Sequence, residues 1–175
     1  SVADLTANPW QSFLASGGAP LAFPYGYAMW IAFLPLALLG KWTGLGIDWG
    51  YLATLLLCDI ALLLVLRALL KTRQAPLIGL YWWSPIVLYP TYWLGLNDLI
   101  PILLLCLGLL QFRRLRGFEA GLWCGAAVSA KLSMVLAIPL IVVYIWHNRS
   151  LHRFLARFLG GLATIASAAP FVGLF

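Results

Sequence analysis

Two long apolar runs, Leu52 to Leu70 and Leu99 to Leu110, constrain what this chain can fold into more than any other feature. A strand of a membrane barrel alternates apolar and polar side chains, and neither run alternates. Helices are therefore the expected element, because only they satisfy every backbone polar group within one segment where water is missing. Composition agrees: 63% of the 175 residues are hydrophobic and 9% are charged, and mean hydropathy is +0.96, well beyond a soluble domain. The expectation is an all-α, polytopic transmembrane helical bundle with no separate soluble domain.

Read in order, residues 1–24 hold Asp4, Asn8, Pro9, Gly17, Gly18, Pro20 and Pro24. They predict a loop with one interfacial helix, anchored by Trp10, Phe13 and Phe23. Residues 25–175 predict the helical bundle. Tyr25 to Gly40 can form a short span bent at Pro35, Lys41 to Asp48 is a connector, and a second span runs from about Trp49 to Leu66. Leu77 to Trp93 is broken by Pro85 and Pro90 and leads into the turn Leu94-Gly95-Leu96-Asn97-Asp98, which opens a span to Phe112. Phe118 to Trp146 is punctuated by Lys131 and Pro139, and its small residues (Ala120, Gly121, Gly125, Ala126, Ala127, Ser129, Ala130) permit close helix packing. A last span begins near Phe154. The start at Ser1, without initiator Met or signal peptide, and the stop inside an apolar segment predict a fragment truncated at both ends.

The net charge of +6 comes from clusters beside apolar segments: Arg67, Lys71 and Arg73; Arg113, Arg114 and Arg116; Arg149, Arg153 and Arg157. That placement indicates membrane orientation and anionic headgroup contact, with the lipid bilayer as partner and no nucleic acid. If all three clusters face the cytoplasm, the spans around Asn97-Asp98 form a hairpin with its tip outside. Phe118 to Trp146 must then go in and return as two short helices with Lys131 near their tip. Simple alternation would put residues 1–24 in the cytoplasm, unless Tyr25 to Gly40 does not span fully or one cluster breaks the rule.

Asp98 is the only charged side chain between Arg73 and Arg113. A carboxylate so isolated in apolar sequence is a functional candidate, though Asp at the start of a helix also serves as an N-cap. Asp59 falls near mid-membrane, where it must be protonated, paired or facing a polar cavity, and a structural contact is favoured over catalysis. Lys131 can snorkel, pair with Asp59 or bind phosphate. The aromatics Trp82, Trp83, Tyr89, Tyr92 and Trp93 indicate an interface belt or a sugar or lipid groove. Cys58, Cys106 and Cys124 lack metal-ligand spacing, and His147 and His152 have no acidic neighbours, so no metal site is predicted.

Several motifs occur in a telling order: Gly17-Gly18-Ala19-Pro20, Phe23-Pro24-Tyr25, Cys58-Asp59, Trp83-Ser84-Pro85, Gly95-Leu96-Asn97-Asp98, then an Arg cluster and Gly121 to Lys131. This order resembles the GT-C superfamily of multi-span glycosyltransferases, especially the glycosylphosphatidylinositol mannosyltransferase I type and bacterial polyprenyl-phosphate-dependent mannosyltransferases. The resemblance implies a GT-C-like bundle whose first extracytoplasmic loop is partly present. It implies transfer of a hexose, mannose by analogy, from a polyprenyl-phosphate sugar donor to a glycan or lipid acceptor.

By the same resemblance Asp4 is the catalytic acid, although the family often has a second acid two residues earlier, where this chain has Val2. Asn97, Asp98, Lys131 and Tyr25 are the substrate-binding candidates. A divalent cation is the one cofactor the resemblance leaves open. The implied location is the cell membrane of a bacterium or the endoplasmic reticulum membrane of a eukaryote. No nucleotide-type Gly-rich phosphate loop is present, which agrees with a lipid-linked donor. The competing class is a non-enzymatic membrane subunit or a transporter of lipid-linked saccharides; a transporter should show paired broken helices in two repeats, and none is found.

Overall fold

The computed structural model describes residues 27–70, 78–93, 98–148 and 152–168. Among these every regular element is helical, so the all-α expectation holds. Helix α1 spans Tyr27–Trp42 and continues through Pro35. It turns into α2, Ile47–Leu70, through Gly44 and Gly46, whose φ angles of 76° and 96° suit glycine. The Gly46 N–H donates to the Gly40 carbonyl at 3.0 Å, closing the end of α1.

The segment after α2 is irregular for a reason visible in its prolines. Two π-helical turns, Ile78–Trp82 and Tyr89–Trp93, flank the short α3, Pro85–Leu88. Ser84 is extended and Pro85 opens α3, where its missing N–H costs nothing. Pro90, one residue into the second π-helical turn, has no N–H to continue an α-helical ladder.

Helices α4, Leu99–Arg113, and α5, Gly117–Ala130, form a hairpin. Lys131 adopts extended backbone and ends α5, a 3-10 turn follows at Leu132–Leu136, and the chain returns as α6, Ala137–His147. Helix α7 is His152–Ala168.

The 24 residues of α2, about 36 Å long, form the axis of the molecule. Helix α1 lies along its first half: Phe33 stacks on Tyr51 at 4.5 Å, and a Cβ on Gly50 would fall 2.2 Å from the Leu36 carbonyl oxygen. The α4 helix follows the second half through Leu62, Val65, Leu99 and Leu103, and Arg113 donates to the Leu69 carbonyl. Thus α1 lies against the first half of α2. On the far side of α4 lies α5, and α7 packs on α5 in the same direction, with Gly117 against Phe154, Gly121 against Phe158 and Gly125 against Ile165. Phe154 and Phe158, with Ile145 of α6, close this second layer.

The exterior is apolar. Leu34 and Leu38 of α1, Leu52 and Leu56 of α2, and Leu140 and Val143 of α6 are exposed, whereas Thr54 and Asp59 are buried. Among the described helices α2 alone is long and apolar enough to cross a membrane, and only 22% of its most apolar stretch is buried inside the molecule.

Candidate functional site

Asp59 lies at the middle of α2 and is completely buried, at 0% exposure. Its carboxylate is surrounded by donors from the proline-broken segment. The Tyr81 hydroxyl donates to Oδ1 at 2.7 Å, and the Trp82 indole N–H and the Tyr92 hydroxyl donate to Oδ2 at 2.8 and 2.7 Å. Both oxygens are thereby satisfied, which is the condition for keeping such a group in a low-dielectric interior. The π-helical turns carry these donors, so the irregular backbone and the buried acid explain each other. Trp82 and Tyr92 therefore donate to Asp59, a role their reading as an interface belt or a sugar or lipid groove did not include; Trp83 and Tyr89 are exposed.

Asp98 and Lys131 stand 33 positions apart in sequence and meet in space, the lysine Nζ donating to Asp98 Oδ1. Asp98 occupies the position before α4 but makes no capping hydrogen bond with its side chain, so the capping role is not what its carboxylate performs. Lys131 ends α5, so each charge stands at the helix end whose dipole favours it. Their side chains keep 44% and 31% exposure respectively. The pairing of Lys131 with Asp59, entertained from the sequence, gives way to the pairing with Asp98, because Asp59 has its own three donors.

The two polar features share one level of the bundle. Met29 of α1, Ile100 of α4 and Ala130 of α5 meet there, and Cys58, next to Asp59, packs on them. Ile100 and Ala130 stand beside Asp98 and Lys131 in the chain. The apolar groove lined by Pro35, Leu38, Leu39, Lys41 and Trp42 is at the other end of α1.

Asp4, Tyr25 and Asn97 lie outside the described residues, as do the predicted interfacial helix and the whole of 1–24. Sequence reasoning singled out Asp59 and Asp98 by their isolation and missed the roles of Tyr81, Trp82 and Tyr92. Composition does carry a signal, since five donor-bearing aromatics, Tyr81, Trp82, Trp83, Tyr89 and Tyr92, fall within twelve residues after an acid set in an apolar run. Among the described residues no three acidic, histidine or cysteine side chains converge as metal ligands. Asp59 and Asp98 are engaged by donors, so this donor set does not fit a divalent cation and no step is assigned to one. Compared with family models, with curated proteins and with solved structures, the chain matches none of them.

Proposed function

We propose that this chain belongs to an integral-membrane glycosyltransferase of the GT-C kind, which moves a hexose, by analogy mannose, from a polyprenyl-phosphate donor to a glycan or lipid acceptor. The observation that carries the reading is the half-exposed Asp98–Lys131 pair at the inner ends of two short helices. With 15 and 14 residues, α4 and α5 reach about 22 Å, short of the roughly 30 Å hydrocarbon core. If their arginine end sits at one interface, the ion pair lies inside the hydrophobic layer. A half-exposed ion pair at that depth requires a polar recess, and membrane enzymes and transporters use such recesses for substrates. The apolar exterior around buried polar groups supports membrane residence in the same way.

The chemistry assigned to these residues is simple. An acceptor hydroxyl attacks the anomeric carbon as the bond to the polyprenyl phosphate breaks; Asp4 takes the hydroxyl proton, and Lys131 neutralises the departing phosphate. A half-exposed ion pair contributes only about 0–1 kcal/mol, so Lys131 can exchange Asp98 for a phosphate oxygen at little cost.

Sugar transfer from polyprenyl-phosphate mannose in membranes containing the protein tests this reading. Asp4→Asn keeps shape but removes the proton acceptor, and turnover should fall by about two to four orders of magnitude. Donor binding should be largely unchanged. Full activity of Asp4→Asn removes that residue from the mechanism, and absence of transfer by the unaltered protein from any polyprenyl-phosphate hexose overturns the function.

A further inference from the structure

The fold gathers arginines that the sequence scatters over ninety positions. Arg67 ends α2, Arg113, Arg114 and Arg116 surround the α4–α5 turn, and Arg153 and Arg157 open α7. Because α7 runs beside α5, a Cβ on Gly117 would stand 3.1 Å from the Arg157 Cβ and 2.8 Å from the Phe154 carbonyl oxygen. This brings Arg157 beside Gly117, the chain neighbour of Arg116, with Arg153 one turn earlier on α7. Arg113 donates to the carbonyl of Leu69, which ties the α2 arginine to the same end. Glu119 stands among them and pairs with Arg116 at 3.3 Å. Arg114, Arg153 and Arg157 are exposed.

The polarity of this end is unusual for helices. Residue Arg116 stands where α5 would favour an uncharged or acidic cap, and the first turn of α7 holds Arg153 and no acid. Glu119 accepts from Arg116, and the α2 and α4 ends that finish here carry Arg67 and Arg113 in their own last turns, so the exposed Arg114, Arg153 and Arg157 leave this end positive, which favours an external anion. Leu115 gives that anion a setting. It is 65% exposed and holds a left-handed φ of 57°, a conformation that suits glycine and directs an apolar side chain outward among the arginines. Phe118 and Trp146 are exposed nearby, the latter with its ring 5.8 Å from that of His152 and tilted by 33°, where α7 opens. Interleaved cations and protruding apolar groups, continuous with an apolar helical exterior, match a bilayer surface of anionic lipid.

We infer that the arginine end of the bundle is a binding surface for anionic phospholipid, with Arg114, Arg153 and Arg157 holding headgroup phosphodiesters and Leu115 inserted among the acyl chains. This surface is independent of the transferase reading. Thermal unfolding of the detergent-solubilised protein, with added dioleoylphosphatidylglycerol or dioleoylphosphatidylcholine, tests it. Phosphatidylglycerol should raise the midpoint by roughly 3–6 °C at tenfold excess over its Kd, with phosphatidylcholine giving less than half of that. The triple variant R114Q/R153Q/R157Q should lose the difference between the lipids while keeping its midpoint in phosphatidylcholine. K41Q, in the last turn of α1 beside the start of α2 and away from the arginines, should retain it. Equal stabilisation by both lipids, a triple variant that still distinguishes them, or equal loss in K41Q overturns the proposal. If the triple variant does not fold, R153Q and R157Q measured singly must each reduce the phosphatidylglycerol response, and an unchanged response in both counts against the surface.

Discussion

At the scale of single residues the two acids differ in what they hold. Asp59 satisfies three donors away from water, so Asp59→Asn leaves one oxygen to serve them and points an amide N–H₂ at the rest. A buried donor without a partner costs about 1–3 kcal/mol, and at least one is stranded. Lys131→Met and Asp98→Asn remove a half-exposed pair and should each cost about 1 kcal/mol or less. Thermal unfolding in detergent should therefore rank Asp59→Asn as the most damaging of the three, and the reverse order would mean that the aromatic donors do not carry the segment. Asp98→Asn is also the change that should offset Lys131→Met, because Asp98 is the acid that the methionine strands. The isolation of both acids was legible in the sequence. The hairpin of α4 and α5 already put Asp98 and Lys131 on one side, but the donors to Asp59 were not legible, because each lies more than twenty positions away and depends on how α3 and its flanking turns fold back on α2.

At the scale of elements, the small residues of α5 were legible as a packing surface, and the break at Lys131 as the point where two short helices meet. What the residues alone could not specify was the partner, which is α7. Gly121 faces Phe158, and Gly161 of α7 returns the contact to Phe118, so the two backbones touch from both sides. A Cβ on Gly121 would lie 2.0 Å from the Phe158 carbonyl oxygen. Backbone must move to accept it, so Gly121→Ala should destabilise by about 1–3 kcal/mol or more despite the better helix propensity of alanine. Gly160 is the control, because a Cβ there would meet nothing nearer than Phe118 Cδ2 at 4.0 Å. Gly160→Ala should be neutral or raise stability by up to about 1 kcal/mol. Equal losses for both, measured by thermal unfolding in detergent, would remove the close α5–α7 contact as the cause.

At the scale of the whole molecule, orientation follows from which end each charge occupies. The described members of all three basic clusters lie at one end, where α2, α4 and α6 finish and α5 and α7 begin. Asp98 and Lys131 lie at the opposite ends of α4 and α5. The sequence could place the clusters beside apolar segments but left two ways of reconciling them with simple alternation, because residues alone do not say how far α1 accompanies α2, which is along its first half. Positive residues favour the cytoplasmic side, so Asp98 should open toward the outer side. Asp98→Cys and Arg114→Cys, each in a background with Cys58, Cys106 and Cys124 replaced by alanine, separate the two faces with a membrane-impermeant maleimide on intact cells. Asp98→Cys should label directly, since its site is half-exposed and the polar recess inferred around it admits water. Arg114→Cys should label only after the membrane is permeabilised. Labelling of both from the same side would mean that the α4–α5 hairpin does not separate two aqueous faces, and the recess argument built on its length would fall with it.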